Sequence, residues 1–249
     1  MWLRKDRGAR ASIGIAVFPE FVAVGTRVGA TVQLRETLFS TPTLKTDEFA
    51  TALRTLLSEM PGAAARIKCV VSNRLARFAV LPWSSALLKN ASAQRYAQDH
   101  LSASFGDAAE SLEVRMQPAP YGTPRFLCAL PRALLDGLND SIRESGASIL
   151  SLKPLLTAAI DGAGKKMGVQ TKLVGTVERC VLHYALTQNT HWVQVSSETL
   201  PNKDSNDLGI ALRRIEVRNP WLDLRDPIVL ADGVSEGRAA RLLQLTMAD

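Results

Sequence analysis

Two stretches of the chain carry the same order of predicted elements, and this repeat limits the folds open to the chain more than any other feature. Each stretch has short apolar runs that favour antiparallel strands, then a helical pattern, then a short buried-strand pattern. The helix predicted to begin near Thr46 returns near Ser205, and the strand at Ile67 returns at Ile228. The offset is about 160 residues in both cases. The sequence therefore predicts an α/β protein with two related lobes.

The predicted elements follow from apolar periodicity and from turn residues. The first stretch has a meander of three strands, a helix and a buried strand, over residues 13–18, 21–26, 31–38, 46–57 and 67–71. The second has two longer strands, a helix and a buried strand, over residues 176–186, 191–197, 206–217 and 228–230. Further strands and helices are predicted over residues 78–81, 92–104, 112–116, 126–130, 131–145, 149–152, 154–160 and 235–245. We expect Ser92 to cap the helix over 92–104 and Gly106 to follow its end.

The order of elements also predicts the domain boundaries. Residues 1–10 form a basic tail, and residues 11–165 form the first lobe with an insertion at about 76–130. Residues 166–249 form a second, smaller lobe.

Composition excludes several classes of protein without naming a function. The chain has 249 residues, of which 46% are hydrophobic and 22% charged, as in ordinary globular proteins. This excludes a disordered chain, a fibrous repeat and a disulfide-stapled miniprotein. The net charge of +6 favours acidic partners such as nucleic acid or an anionic membrane surface. A solvated basic surface is the simpler interpretation, because most of the basic residues are spread along the chain.

Cysteine and histidine spacing gives no sign of a metal site. The three cysteines, Cys69, Cys128 and Cys180, lie far apart in apolar runs, which predicts buried free thiols. His183 and His191 could be near neighbours across a hairpin, but no further ligands stand at a recognisable spacing. We expect structural histidines and no metal.

One segment carries a resemblance to a known family. Residues 74–83 end a predicted strand in Leu81-Pro82-Trp83, which resembles GspL-like proteins of type II secretion. Together with the doubled unit, this makes the chain similar to the cytoplasmic domain of GspL and to the pilus-assembly protein PilM. The resemblance implies a two-lobed actin-like (ribonuclease H-like) fold with a reduced second lobe. The helical pattern at 91–105 then stands where the family's insertion subdomain begins.

The nucleotide-binding motifs that this resemblance implies are degenerate. PilM-like proteins open with a pattern resembling Gly-Ile-Asp-Ile-Gly, whereas this chain has Ala16 at the aspartate position and Phe18 at the second glycine position. Pro19 removes a backbone donor from the turn. The best match to the second phosphate hairpin, His183-Tyr184-Ala185, has neither aspartate nor glycine, and the adenosine loop has the single glycine Gly233. We therefore expect no nucleotide, no cofactor and no catalytic residues.

The resemblance implies a function in assembly rather than in catalysis. We expect a cytoplasmic scaffold or adaptor, peripheral at the inner membrane, of a type IV pilus or type II secretion-like machine. Its partners would be an inner-membrane protein with a short cytoplasmic tail, a motor ATPase, or both. Either the chain is a stand-alone PilM-like subunit or it is the soluble part of a longer protein. The alternatives are an active ATPase or sugar-type kinase of the same fold, and a nucleic-acid-binding protein.

The candidate protein-binding residues are two arginines and two tryptophans, Arg74, Arg77, Trp83 and Trp221. Tryptophan often contributes much of the energy of an interface, although each tryptophan could instead cover the edge of a core. The strand at 78–81 is short and follows Arg74 and Arg77, which is typical of a protected edge strand. A partner tail could add to such an edge through main-chain hydrogen bonds.

Overall fold

The structure is a computed structural model that describes residues 12–28, 31–39, 46–59, 66–163, 172–201, 205–222, 224 and 227–231. Within these ranges the chain forms strands β1 (Ser12–Phe18), β2 (Phe21–Val28), β3 (Thr31–Leu38), β4 (Arg66–Val71), β5 (Arg77–Leu81), β6 (Leu112–Met116), β7 (Arg125–Pro131), β8 (Ser148–Pro154), β9 (Lys172–Glu178), β10 (Val181–Gln188), β11 (His191–Thr199) and β12 (Ile228–Ala231). The helices in these ranges are α1 (Thr46–Ser58), α2 (Asn90–Phe105), α3 (Arg132–Glu144), α4 (Leu155–Ala163) and α5 (Ser205–Arg218).

The chain divides into two compact units. The first contains the described residues up to Val71 together with Leu134–Lys153, and the second contains Ser72–Ala133 together with the described residues from Pro154 onward. This grouping does not test the boundary predicted at residue 165, which stays a prediction.

The first unit is built on a five-stranded sheet with the order β3-β2-β1-β4-β8. β1 pairs antiparallel with β2 and parallel with β4, so it lies inside the sheet. Central strands of this kind are buried on both faces, which explains why Ile15, Ala16 and Val17 are consecutive, apolar and fully buried. α1 adds Phe49 and Leu53 to the buried set, as its apolar stripe predicts.

The second unit contains the predicted repeat. Its four-stranded sheet has the order β11-β10-β9-β12, with β9 antiparallel to β10 and parallel to β12. Ser12 and Phe21 begin β1 and β2, and Lys172 and Val181 begin β9 and β10, an offset of 160 residues in each case. The repeat of a meander, a helix and a parallel strand is therefore confirmed, although Ile228 and Val229 of β12 are half-buried rather than buried.

One strand prediction in this unit is wrong. The apolar run at 176–186 is not one strand, because a tight turn at Arg179-Cys180 divides it into β9 and β10. Both turn residues have positive φ, 46° and 63°, in the region that glycine and asparagine usually occupy. Arginine and cysteine are not turn signals, so the pattern concealed this turn.

Smaller corrections concern helix ends. Ser92 does not cap α2, which begins at Asn90 after Lys89 and has no side-chain cap, whereas Gly106 follows its end with a φ of 62° as expected. Pro131 ends β7, so α3 begins at Arg132. The predicted closing helix at 235–245 lies outside the described residues.

The insertion forms a three-stranded sheet with the order β5-β7-β6, and both of its faces are covered. Leu127 and Ala129 of β7 pack on one side in a cluster with Ala97 and Leu101 of α2. Phe126 of β7 packs on the other side in a cluster with residues of α4, β9, β10 and β11. From Phe126 to Pro131, β7 is apolar because its side chains alternate between the two cores.

Candidate functional site

The β1–β2 hairpin, where the family resemblance implies a phosphate-binding turn, is filled by aromatic side chains. Phe18 and Phe21 pair across the turn at Pro19-Glu20, and their rings stack at 4.8 Å with an angle of 7° between the planes. Phe18 is 1% exposed and Ala16 is fully buried. The position that resembles a phosphate-binding glycine therefore holds a core side chain.

The second hairpin turn is not where the sequence match placed it. His183, Tyr184 and Ala185 lie inside β10, and the turn that repeats Pro19-Glu20 is Arg179-Cys180. By the same offset, Glu178 repeats Phe18 and Thr176 repeats Ala16. Both Thr176 and Glu178 are fully buried polar residues, and the sequence reading did not single out either one.

These two residues belong to a buried polar cluster of Ser72, Asn73, Thr176 and Glu178. The Ser72 hydroxyl donates to one carboxylate oxygen of Glu178, and the backbone N–H of Asn73 donates to the other at 3.0 Å. The Asn73 side-chain amide donates to the Thr176 hydroxyl at 2.8 Å. The cluster ties the segment after β4 to β9.

The cluster also reaches the start of α4. The side-chain oxygen of Asn73 accepts from the backbone N–H of Leu156 at 2.7 Å, which supplies one of the first N–H groups of that helix with a partner. The Ser72 hydroxyl accepts from the N–H of Arg74 at 3.1 Å. Buried polar groups that are satisfied in this way hold their surroundings rigid. The cluster therefore acts as an internal brace within the second unit.

His183 lies beside this region as a neutral imidazole. Burial, with a smaller contribution from the positive charge of Arg74, lowers the pKa of His183 to about 4. In the β10–β11 register, His183 stands opposite Ser197 and His191 stands opposite Gln188, so the two histidines are not cross-strand neighbours. The expectation that they lie close together is wrong.

The cysteines are free thiols, as predicted, and only one of them is fully buried. Cys69 is buried, whereas Cys128 and Cys180 are partly buried. Burial raises the pKa of Cys69 and of Cys128 to about 12, so both stay protonated and unreactive at neutral pH.

The predicted protein-binding residues lie on different elements of the second unit. Arg74 is partly buried in a single 3₁₀ turn before β5. Arg77 is exposed at the first residue of β5, and its guanidinium lies 5.7 Å from the centre of the Phe105 ring. Trp221 follows α5 and is 40% exposed. Arg74 and Arg77 lie before and at the start of β5, whereas Trp83 follows the end of that strand.

Trp83 instead forms an exposed aromatic pair with a residue that the sequence did not single out. It is 37% exposed, and its ring meets the edge of Tyr121 at 5.2 Å. Tyr121 is 76% exposed in the loop between β6 and β7. The pair marks the end of the three-stranded sheet at which β5 and β6 end. Exposed tryptophan and tyrosine side chains are typical of interface anchors.

Trp192, unlike the exposed Trp83, is a buried core residue. It is 8% exposed, packs against Phe126 at 5.2 Å and donates from its indole N–H to the side chain of Gln117 at 2.7 Å. It therefore joins β11 to the three-stranded sheet as a core residue.

Comparison with known proteins relies on structure alone. No model of a protein family matches the sequence, and no curated protein matches it. A Bacteroides thetaiotaomicron protein of unknown function with an actin-like ATPase fold matches with a TM-score of 0.57 and 11% identity, over 95% of this chain and 87% of that one. The chain has the actin-like fold.

Two further solved structures that match belong to assembly machines. A chain of the PilM–PilN type IV pilus biogenesis complex matches with a TM-score of 0.59 and 13% identity, over 94% of this chain and 85% of that one. The cytoplasmic domain of EpsL, an inner-membrane component of the type II secretion system of Vibrio cholerae, matches with a TM-score of 0.53 and 7% identity, over 91% and 84%. The resemblance read from the sequence is thus confirmed for the fold. None of the helices in the described ranges is long and apolar enough to cross a membrane.

Proposed function

We propose that the chain is a non-catalytic scaffold of a type IV pilus or type II secretion-like assembly machine. The observation that carries this proposal is the replacement of both hairpin motifs of an actin-like fold by side chains that are fully used in packing. Phe18 stacks on Phe21 at the first hairpin, and Glu178 is held by Ser72 and Asn73 at the second. Neither turn retains a glycine at which a backbone could approach a phosphate closely.

The kind of machine is suggested by the solved structures that the fold resembles. One belongs to a PilM–PilN complex of type IV pilus biogenesis, and another is the cytoplasmic domain of a type II secretion component. By analogy, the partners would be an inner-membrane assembly protein with a short cytoplasmic tail, and a motor ATPase. The chain would then be cytoplasmic and held at the inner membrane through these partners.

Two measurements test the proposal. Titration of the purified chain with ATP and Mg²⁺ in a calorimeter should give no heat of binding, and a micromolar dissociation constant would instead support an active ATPase or kinase. A tagged chain expressed in its own host should co-purify with inner-membrane pilus or secretion proteins after mild cross-linking. Recovery of none of these proteins would refute the assembly role.

A further inference from the structure

The three-stranded sheet has an open edge at β6. In the strand order β5-β7-β6, β7 is the only described strand that pairs with β6. β5, at the other edge, also lies against β11. We therefore expect an added strand to pair with β6, and not with β5 as the sequence predicted.

The backbone groups of β6 are directed to receive such a strand. The N–H of Gln117 donates to the carbonyl of Phe126 at 2.8 Å, which makes this a hydrogen-bonded pair of the β6–β7 ladder. Hydrogen-bonded and non-hydrogen-bonded pairs alternate in an antiparallel ladder. Val114 and Met116 therefore direct their N–H and C=O groups away from β7. The carbonyl of Leu112, which has the same parity, accepts from an arginine side chain at 3.3 Å, as an outward group should.

A cavity lies on each face of this edge strand. On one face, the α2 groove is a depression of about 410 Å³ between β6 and α2. Its lining includes Leu112, Glu113 and Val114 of β6, Arg95 and Asp99 of α2, and Arg132 of α3. Most of its lining residues are polar or charged, with both signs of charge, so the groove can accept polar side chains.

On the other face, the α4 pocket has a volume of about 210 Å³. Phe126, Cys128 and Ile160 give it an apolar lining, and Arg115 and Asp161 add charge. Drug-sized ligands usually occupy about 300–1,000 Å³, so this pocket suits a single apolar side chain better. The Thr157 hydroxyl lines the same pocket and is buried without a hydrogen-bond partner among the described residues.

We propose that the β6 edge binds an extended segment of a partner protein as an added strand. Successive side chains of a strand point to opposite faces, so one apolar side chain would enter the α4 pocket while its neighbours face the α2 groove. The ligand is therefore an extended peptide with a large apolar residue between polar ones. Main-chain hydrogen bonds to Val114 and Met116 would supply affinity and the α4 pocket would supply specificity. The inference deepens the proposed function, since it names where a partner tail would dock.

The test uses phage-displayed random nine-residue peptides selected on the full chain. We expect enriched peptides to carry one large apolar residue flanked by polar ones. Met116→Pro removes an outward donor, and Thr157→Leu fills the α4 pocket. Each should weaken the enriched peptides at least tenfold. Hydrogen exchange should show the amides of Val114 and Met116 gaining protection when peptide binds.

The matched control is Glu36→Pro in β3, another edge strand. The N–H of Phe39 donates to the carbonyl of Glu20 at 2.8 Å, so by the same alternation Glu36 directs its N–H outward from β2. This variant should bind the enriched peptides as tightly as the original chain. A larger loss of peptide affinity in Glu36→Pro than in Met116→Pro would overturn the proposal.

Four other results would also overturn it. Selection could yield no peptide, or peptides that bind the Met116→Pro and Thr157→Leu variants undiminished. Light scattering could instead show a dimer that Met116→Pro abolishes, which would assign the edge to a second copy of the chain. Co-purification with pilus or secretion proteins that survives both of these substitutions would sink this inference and leave the proposed function standing. Conversely, the enriched peptides could lose affinity in these variants while the chain recovers no pilus or secretion protein. The proposed function would then fail and this inference would stand.

Discussion

Removing the Glu178 carboxylate should destabilise the second unit far more than removing a buried carboxylate whose partners are exposed to solvent. Glu178 is fully buried, and its oxygens accept from the Ser72 hydroxyl and from the N–H of Asn73. Glu178→Ala would leave both donors buried without an acceptor. Each unsatisfied donor costs about 1–3 kcal/mol, so the free energy of unfolding should fall by roughly 2–6 kcal/mol.

Glu198 provides the matched control. It also has two partners, Arg218 at 2.7 Å and Arg214 at 3.6 Å, but these guanidinium groups are 61% and 51% exposed. Water can solvate them when the carboxylate is removed, so Glu198→Ala should cost about 1 kcal/mol or less. The contrast depends on the solvation of the partners rather than on their number.

Urea unfolding followed by circular dichroism and tryptophan fluorescence would measure the difference. Because a chain of two units can unfold in more than one step, the transition that reports the second unit must be compared between variants. Equal losses for Glu178→Ala and Glu198→Ala would refute the reasoning, since the buried polar cluster would then contribute no more than an ion pair with solvent-exposed arginines.

Three further predictions address the hairpin, the aromatic pair and the buried histidine. Phe18→Gly should lower the free energy of unfolding by about 3–5 kcal/mol, because it empties a buried aromatic site. Neither Phe18→Gly nor Ala16→Asp alone should permit ATP binding by calorimetry, and binding by either would show that one residue blocks the site. Trp83→Ala should leave the Tm within a few degrees and reduce partner recovery, whereas a large fall in Tm with recovery intact would assign Trp83 to the core. The pKa of His183 is lowered from its ordinary 6.5 to about 4, so the unfolded chain binds more protons in this window. Stability should therefore fall as pH drops from about 6.5 to 4, and His183→Gln should flatten that slope in urea midpoints measured at successive pH values.

The sequence predicted the repeat because each element has a local signal. α1 and α5 show apolar stripes, and the strands of both sheets are short apolar runs bounded by turns. Even where one turn was missed, at Arg179-Cys180, the order of elements survived. The missed turn lacks glycine, asparagine and proline, so its conformation is imposed by the pairing of β9 with β10 rather than by its own residues.

The buried polar cluster could not be predicted in the same way. Ser72 and Glu178 are 106 residues apart in sequence, and only the folded second unit brings them together. A lone glutamate at the end of a strand is read as a surface residue, because isolated glutamates are rarely buried. The aromatic pair of Trp83 and Tyr121 and the open edge at β6 depend on strand order for the same reason.

The covering of β7 on both faces has a consequence for synthesis on the ribosome. The face that bears Phe78 and Phe126 is completed by α4 and by Trp192 of β11, and Trp192 emerges roughly 66 residues after Phe126. At a synthesis rate of about 5–20 residues per second, one apolar face of the three-stranded sheet stays exposed for roughly 3–13 s. The insertion therefore reaches its final packing only after β11 has been synthesised, and a nascent chain stalled before β11 should be a good substrate for chaperones.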